Sequence, residues 1–417
     1  NVIERMLKAV TSFKWHVIAS KQGIDIANYE VIVIDDSTDQ TTQKGLNFLN
    51  AAGYSLSRSY QDEKLEIITG VSQKDSKWPN VKYIHRFSRS GFKGAALAKA
   101  LEETDRRAEY VVIFDADFVP YPDTLEQFVK HFAAIEQNEN INSQKIAAIQ
   151  GYQWHVLNKS ENWITKGVRS EYAGSYVVER SAIELYGGLK MIAGSVYAIK
   201  RNILDKFGWG TSITEDLELT LKLYAAGYKV AYTPYIQAPA EAVSTLKRLI
   251  RQRMRWAEGH SFNIHNQFKA ITASPHLTFK EKLEFAFLVP YYLQAAFFIA
   301  GTFAWFVSEV IFKVNLPYWS AALGWSLVFS NFLALPLTNL LGLFLEQSEE
   351  KDYVGVASFV LLSYLVAPFQ AYAAVKGFLE KEEGPWFRTP KTGIVTDTFG
   401  RLVIDKWSLS LPFGKPA

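Results

Sequence analysis

Apolar and polar positions divide the chain into two regions of different character. Over residues 1–240, short apolar runs that suit buried strands alternate with longer segments of helical periodicity. This alternation predicts an α/β fold in which helices cover a mostly parallel sheet on both faces. The expected strands are Glu30–Ile34, Leu65–Thr69, Val81–His85, Tyr110–Phe114, Ile146–Gln150, Met191–Ile199 and Lys229–Thr233. The expected helices are Asn1–Phe13, Gln43–Ala51, Gly94–Glu103, Pro122–Gln137, Asn162–Leu185 and Asp216–Ala226. The polar stretch 53–80 is expected to form a surface excursion.

After about residue 280 the pattern becomes apolar. Three runs carry no charged residue: Phe285–Ser308, Leu316–Leu345 and Tyr353–Val375. Each is long enough to cross a bilayer, which takes about 20 apolar residues. The three runs predict a membrane region, and the alternative is a buried helical bundle.

Composition narrows the range of functions. The net charge is only +3 over 417 residues, so the chain has no bulk attraction to nucleic acid, and no nucleic-acid partner is expected. It contains no cysteine, which excludes disulfides, thiolate metal sites and cysteine nucleophiles. The chain starts at Asn1 inside a helical pattern, so we expect the natural N-terminus to lie further upstream.

Two aspartates follow the apolar run Tyr110–Phe114. Asp115 and Asp117 stand one residue apart, and Pro120 prevents the strand from continuing. In open α/β sheets, ligands bind at the carboxyl ends of strands. Two carboxylates there suit a divalent cation such as Mg²⁺, which combines one or two carboxylates with substrate phosphates. The alternative is a loop of solvated aspartates.

Two further clusters precede helices. Asp36 lies in an acidic turn after the first strand, where it can bind a nucleobase or ribose or can simply shape the turn and cap the next helix. Lys93 lies in a glycine-rich turn that opens a helix, and such a turn suits a phosphate group. Glycine-rich turns before helices are common, so this second signal is weak on its own.

The remaining clusters lie in the second half of the chain. Glu215 and Asp216 follow Thr214 at a helix start, where an acid can act as a general base or can favour the helix dipole. Gln252, Arg255 and Trp256 share one face of a basic helix. An arginine there can neutralise a diphosphate, and a tryptophan offers a flat surface to a sugar ring. The alternative is a helix on the membrane surface with snorkelling arginines.

These clusters together resemble a known family. The acidic turn, D-x-D, T-E-D and Q-x-x-R-W occur here in the order found in family 2 glycosyltransferases of the processive, cellulose-synthase-like kind, which include mannan- and glucan-synthase-like members. The segment W-F-R-T-P-K-T-G at residues 386–393 resembles the gating-loop motif of that family. The resemblance covers roughly residues 1–395.

The resemblance implies a role for each matching residue. Asp216 would be the catalytic base, with Glu215 beside it in the catalytic motif. Asp117 would ligate Mg²⁺ or Mn²⁺, and Trp256 would contact the acceptor. The residues implied to bind the nucleotide sugar are Asp36 at the base end, Lys93, Asp115, Gln252, Arg255, Thr389 and Lys391.

The resemblance also implies a division of the chain. Residues 1–242 would form a GT-A catalytic domain without the opening strand of the family, and residues 243–282 the Q-x-x-R-W helix with interface helices. Residues 283–380 would be transmembrane or interfacial helices, and residues 381–417 the gating-type motif and tail. The family usually has Ala-Gly where this chain has Gly94-Ala95, which leaves the conformation of that loop open.

The expected topology places a constraint on the apolar runs. The catalytic domain and the gating-type motif are both expected to be cytosolic, which requires an even number of crossings between them. With three runs, one must lie in the interface or fold back. Pro336 lies inside the second run and could break it. The third run contains Pro368, and part of it could lie in the interface.

The sequence therefore predicts an integral-membrane, inverting β-glycosyltransferase. It would transfer a hexose from a UDP- or GDP-sugar to the hydroxyl of a growing polysaccharide and couple this to translocation, with the bilayer and accessory export subunits as partners. One alternative is a non-processive enzyme that glycosylates a lipid. Another is a catalytically silent scaffold or export subunit. A soluble dinucleotide enzyme is disfavoured, because no G-x-G-x-x-G follows the first strand.

Overall fold

The structure is a computed structural model. It describes residues 2–14, 29–73, 78–138, 145–314, 318–346, 353–382, 384 and 391–397. Within the helix that spans 318–345, it describes the side chains of residues 322, 326 and 333–345.

In the described part of the chain, eight strands form two four-stranded sheets, ordered β1-β4-β3-β2 and β5-β7-β6-β8. The pairs β1–β4 and β6–β8 are parallel, and the other four described pairings are antiparallel. The strands are β1 (Val31–Asp35), β2 (Tyr54–Gln61), β3 (Leu65–Ser72), β4 (Val81–Arg86), β5 (Tyr110–Ile113), β6 (Ile146–His155), β7 (Tyr197–Lys200) and β8 (Lys229–Ala240).

Helices flank these sheets and continue into the apolar region. In the first part of the chain they are α1 (Val2–Val10), α2 (Thr41–Ala51), α3 (Phe92–Glu102), α4 (Thr124–Gln137), α5 (Trp163–Ala173), α6 (Arg180–Tyr186), α7 (Arg201–Phe207) and α8 (Glu215–Ala225). In the second part they are α9 (Leu246–Ala273), α10 (Phe279–Leu288), α11 (Leu293–Phe306), α12 (Tyr318–Leu345) and α13 (Tyr353–Leu379). Two π-helical segments, Gly174–Glu179 and Val307–Ile311, extend α5 and α11.

The predicted α/β fold class is confirmed, and the sheets within it are mixed. The expected surface excursion 53–80 contains an antiparallel hairpin of β2 and β3. Strand β2 was not predicted because Tyr54 is its only buried residue, so it lacks the apolar alternation of a half-buried strand.

The predicted strand Met191–Ile199 was wrong over its first half. Only Tyr197–Lys200 pairs as β7. Gly194 and Val196 both have positive φ angles, of 75° and 56°, which break the extended backbone. The segment before β7 therefore forms a loop, and Lys93 and Asp216 lie against it.

The core centres on α8, which lies between the β5–β8 sheet and α9. Leu219, Leu221, Leu223 and Tyr224 of α8 are fully buried in the largest apolar cluster. Because α8 is buried nearly all round, its first turn is held rigidly. The edge strands β1 and β5 line a cavity of about 1440 Å³.

Among the residues that the structure describes, two helical stretches are long and apolar enough to cross a membrane. They are Leu293–Ile311, whose most apolar part has no buried residue, and Tyr353–Leu379. Of the three predicted runs, the middle one forms a continuous α12 across Pro336, so this proline does not break the helix. Among the residues of α12 whose side chains are described, Leu333–Leu345 forms an apolar stretch that is shorter than the other two.

A buried ion pair joins the β5–β8 sheet and its flanking helix α5 to the end of α12. The Arg169 guanidinium on α5 contacts the carboxylate of Glu346, which directly follows α12, and Tyr152 of β6 donates its hydroxyl to the same carboxylate. The Glu346 side chain has no exposed surface, and that of Arg169 is 6% exposed. The sheet and the apolar helices are therefore locked together by paired charge.

We expect Arg169→Met to destabilise the protein strongly, because it leaves the buried Glu346 carboxylate without a cation. The loss is about 3–5 kcal/mol in the free energy of unfolding, visible as a lower thermal midpoint in detergent. The double variant Arg169→Met/Glu346→Gln should recover much of the loss. Arg58→Met is the control, because the Arg58 side chain is 62% exposed and its pair with Glu66 should matter little. A midpoint for Arg169→Met equal to that of the control would contradict this role.

Candidate active site

A cavity of about 490 Å³ lies where β5 ends, beside the first turn of α8 and one face of α9. It gathers most of the residues that the sequence singled out. Its lining includes Lys93, Asp115, Asp117, Glu215, Asp216, Gln252, Arg255, Trp256 and Lys391.

Asp115 is held by a lysine and a serine. Lys93 Nζ lies 2.6 Å from Asp115 Oδ1 and donates to the carbonyl oxygen of Gly194 at 2.6 Å. The Asp115 amide donates to Ser195 Oγ at 2.9 Å. Burial alone would lower the pKa of Lys93, but the nearby carboxylates of Asp115 and Glu215 outweigh it and raise this pKa above its usual value. Lys93 is therefore a fixed cation on the cavity wall.

The glycine-rich turn before α3 has a packing reason for its Gly94-Ala95 order. A Cβ at Gly94 would lie 1.8 Å from the carbonyl oxygen of Gly210, so no side chain fits there. This close approach brings α3, and Lys93 with it, against the loop that precedes α8. The departure from the family order is thus explained by the contact between these two backbones.

Asp117 is buried and paired with a distant lysine. Lys391 Nζ lies 2.9 Å from Asp117 Oδ2 and donates to the backbone oxygen of Glu241 at 2.6 Å. Burial alone would raise the pKa of Asp117, but Lys391 outweighs it and holds this pKa below its usual range. His155 lies beside the pair, and burial, together with the charge of Lys391, lowers its pKa to about 3. His155 is therefore neutral at physiological pH.

Asp115 and Asp117 are the candidate metal ligands at the end of β5. Among the residues that the structure describes, no three histidine, cysteine, aspartate or glutamate side chains gather into a metal site. Mg²⁺ commonly binds one or two carboxylates and takes its remaining oxygens from phosphates and water. Asp115 and Asp117 therefore fit a cation that is shared with a diphosphate, provided that Lys391 leaves the Asp117 oxygen that it occupies.

The first turn of α8 presents two acids with different surroundings. Glu215 is 5% exposed and lies 3.5 Å from Lys93 Nζ. Burial raises its pKa to about 7, with Lys93 lowering it and Asp216 raising it. Asp216 Oδ1 accepts a hydrogen bond from the Leu217 amide at 2.9 Å. Its Oδ2 lies 3.0 Å from where a Cβ on Gly194 would stand, so glycine leaves this carboxylate room beside the loop.

One face of α9 closes the cavity. Gln252, Arg255 and Trp256 line it together, as their spacing predicted. Arg255 Nη1 donates to the Ile213 carbonyl oxygen at 3.3 Å, which places its guanidinium next to the loop before α8. No role was predicted for Arg253, yet its guanidinium carbon lies 4.5 Å from the Trp256 ring centroid. One face of the predicted sugar platform is therefore covered by a cation.

Arg253 belongs to a further group that motif analysis missed. It pairs with Glu171 of α5 at 2.6 Å, and Tyr172 and Tyr176 line the same cavity. Burial is the largest influence on the carboxyl of Glu171 and raises its pKa. The helical run 162–185 in the sequence gives no sign of which side chains face the cavity. Only the packing of this helix against α12, α13 and β6 decides that.

Asp36 lies at the neighbouring 1440 Å³ cavity. Its Oδ1 accepts from Arg86 Nε at 2.7 Å, and its backbone oxygen accepts from Arg89 Nε at 3.0 Å. Lys93 and Asp115 line both cavities, so Asp36 and the α8 acids stand at two ends of one connected surface. Thr389, together with residues 386–390 of the gating-type motif, lies outside the described residues.

We expect Glu215→Gln to change how stability depends on pH. The folded pKa of Glu215 is about 7, above the ordinary 4.5, so its contribution is fully present below pH 4.5 and is lost as the pH rises through about 7. Wild type loses this stabilisation between pH 5 and pH 8, whereas the variant, which cannot ionise at this position, does not. The free energy of unfolding of the variant relative to wild type should therefore rise over this range by up to about 3 kcal/mol, measured as a relative increase in thermal midpoint. Glu102→Gln is the control, because that side chain is 66% exposed. Parallel pH profiles for Glu215→Gln and wild type would contradict the assignment.

Comparison with known proteins shows the family of the chain. Residues 110–367 match the model for "Glycosyl transferase family group 2", which is more than half of the chain. The sequence is 28% identical to a probable glucomannan 4-beta-mannosyltransferase 7 of Oryza sativa subsp. japonica, over 58% of this chain and 39% of that protein. It is 30% identical to a beta-monoglucosyldiacylglycerol synthase of Synechocystis sp., over 54% of this chain and 44% of that protein.

The chain thus spans less than half the length of these two curated relatives. The structure is also similar to that of the mannosyltransferase PcManGT from Pyrobaculum calidifontis in complex with GDP-Man and Mn²⁺. That likeness has a TM-score of 0.47 at 19% identity and covers 91% of this chain and 84% of the other. On the family match over residues 110–367, the chain belongs to glycosyl transferase family group 2.

Proposed function

We propose that this protein transfers a hexose from a nucleotide-diphospho sugar, a UDP- or GDP-sugar, to a hydroxyl group with inversion at the anomeric carbon. The observation that carries the proposal is the joint lining of one cavity by Asp216, by the carboxylates of Asp115 and Asp117 and by the cations Lys93 and Arg255. A base thus stands beside the groups that suit a diphosphate, as an in-line displacement requires.

The donor would lie along the surface that the two cavities share. Asp36 at the far end suits the hydrogen-bond donors of a uracil or guanine ring. Lys93 and Asp115 stand between Asp36 and the α8 acids, which suits the ribose and diphosphate. Gln252 and Arg255 would bind the diphosphate from α9. Thr389 and Lys391 would complete the nucleotide site when the donor binds.

The leaving group requires neutralisation. Asp117 and Asp115 would hold Mg²⁺ or Mn²⁺, which supplies electrostatic stabilisation of the charge that develops on the diphosphate. Lys93 and Arg255 add fixed positive charge from the protein, which needs no reorganisation during the reaction. Both cations already have backbone partners, the oxygens of Gly194 and Ile213, so their positions are set before the donor arrives.

Asp216 would act as the general base. Its carboxylate would accept the proton of the acceptor hydroxyl as that oxygen attacks the anomeric carbon, and the bond to the diphosphate would break. Glu215 is the less suitable base, because it is nearly buried and faces Lys93. Its place is to help hold Lys93 in the site.

The acceptor would approach between α5 and α9. Trp256 and Tyr172 line this side of the cavity and suit the faces of sugar rings. A growing polysaccharide is the acceptor that we favour, on the similarity to glucomannan mannosyltransferases. A glycolipid product is the second candidate, on the similarity to the beta-monoglucosyldiacylglycerol synthase.

We further propose that the protein is integral to a plasma or inner membrane, with the catalytic region cytosolic. The two apolar stretches Leu293–Ile311 and Tyr353–Leu379 support this. The contact of Lys391 with Asp117 supports a common side of the membrane for residue 391 and the catalytic region. Translocation of the polymer and accessory export subunits would follow from a processive activity.

Asp216→Asn should lower sugar transfer about 10²–10⁴-fold, because the general base is lost. The measurement is nucleotide release from a panel of UDP- and GDP-sugars with Mn²⁺ or Mg²⁺, using protein in nanodiscs. Asp205→Asn is the matched control, because that side chain is 52% exposed on α7, and it should retain full activity. Equal activity of the two variants would contradict the assignment, and a lack of release with every donor would favour the silent-scaffold alternative.

The size of the product separates the two acceptor candidates. We expect the active donor to yield a high-mass polysaccharide that remains water-soluble after lipid extraction. The measurement is size-exclusion and mass analysis of radiolabelled product, with and without added diacylglycerol. A single labelled glycolipid that depends on added lipid would overturn the polysaccharide assignment and leave the transferase assignment in place.

A further inference from the structure

Residues 391–397 form a strap that crosses the rim of the active-site cavity. Lys391 at its start reaches into the cavity and contacts Asp117 Oδ2 at 2.9 Å and the Glu241 carbonyl oxygen at 2.6 Å. The Gly393 amide donates to Glu241 Oε2 at 3.0 Å. The ammonium of Lys391 therefore sits on the carboxylate that the family resemblance assigns to the metal.

The strap is held at both ends by polar contacts. The Glu241 side chain is fully buried and also pairs with Arg5 of α1. At the other end, the Thr396 amide donates to the Leu157 carbonyl oxygen at 2.8 Å. Between these ends, Ile394 and Val395 are 46% and 44% exposed. Detaching the strap would therefore exchange hydrogen bonds and ion pairs with water and would expose little apolar surface.

The charges show what Lys391 replaces. Asp115 carries the ammonium of Lys93, and Asp117 carries that of Lys391. The two carboxylates are thus balanced by two lysine ammonium groups, whose total charge of +2 equals that of one divalent cation. A cation on Asp117 would bind at about 2.0–2.1 Å from a carboxylate oxygen. It would then lie against the Lys391 ammonium, and the two positive charges would repel each other.

We propose that Lys391 is a positioning residue that occupies Asp117 in the donor-free protein, so that a divalent cation and Lys391 are mutually exclusive partners of this carboxylate. Cation binding then displaces Lys391 from Asp117, which loosens the strap and frees this lysine to reach the nucleotide, and the contact of Lys391 with Asp117 in turn weakens cation binding, because such coupling is reciprocal. The inference rests on the proposed function for the identity of the cation, a Mg²⁺- or Mn²⁺-type ion that accompanies the donor diphosphate.

Mn²⁺ affinity is the first test. The full chain in detergent is titrated with Mn²⁺ alone, and free ion is measured by electron paramagnetic resonance. Lys391→Met should bind Mn²⁺ about tenfold or more tightly than wild type, because its competitor is gone. Lys391→Arg should stay close to wild type, and Asp117→Asn in the Lys391→Met background should abolish the gain. Lys200→Met is the control, because Lys200 makes a similar 2.7 Å pair with Glu136 outside the cavity.

Release of the strap is the second test, and it does not depend on sugar transfer. The chain has no cysteine, so Val395→Cys gives a single labelling site on an exposed part of the strap. A nitroxide there should become more mobile as Mg²⁺ saturates the protein and should stay unchanged in the Asp117→Asn background. An unchanged Mn²⁺ affinity in Lys391→Met, an absence of Mn²⁺ binding in both proteins, or a label that stays immobile at saturating Mg²⁺ would each overturn the proposal. None of these outcomes bears on whether the protein transfers sugar.

Discussion

The pairing of two carboxylates with lysines at the end of β5, the half-exposed Asp115 and the buried Asp117, is the constraint on which the site depends. A carboxylate taken out of water is costly unless a cation or hydrogen bonds compensate it. Asp115 and Asp117 find their cations in opposite directions along the chain, Lys93 before them and Lys391 after them. This one strand end therefore ties together the glycine-rich turn and the last described segment. It also makes the site a natural place to exchange monovalent for divalent charge.

The same use of paired charge connects the catalytic region to the apolar helices. Helix α9 carries Gln252 and Arg255 toward the cavity and packs along α13 on another side. On that side Lys376 pairs with Glu258 at 2.8 Å. With the buried contact of Arg169 and Glu346, these links fix the cavity relative to the helices that would enter a membrane.

The sequence predicts the elements that have a strong local signal. The strand before Asp115 and the helix face of Gln252, Arg255 and Trp256 are correct, because apolar runs and 3.6-residue spacing are local properties. The expectation that this strand is buried was wrong over most of its length, because β5 is an edge strand in which only Ile113 is buried. Contacts that depend on long-range packing were not predictable. The pairing of Asp117 with Lys391 is one such case: the family resemblance places Lys391 at the nucleotide site, but nothing in the local sequence indicates that its ammonium pairs with Asp117.

The most direct measurement is an electron cryo-microscopy structure of the Asp216→Asn variant with the active nucleotide sugar and Mn²⁺. The account predicts the nucleobase near Asp36, the diphosphate between Lys93 and Arg255, and the anomeric carbon facing the side chain at position 216. A donor bound with its sugar turned away from position 216, or bound outside this connected surface, would contradict the central claim that this cavity is the site of glycosyl transfer.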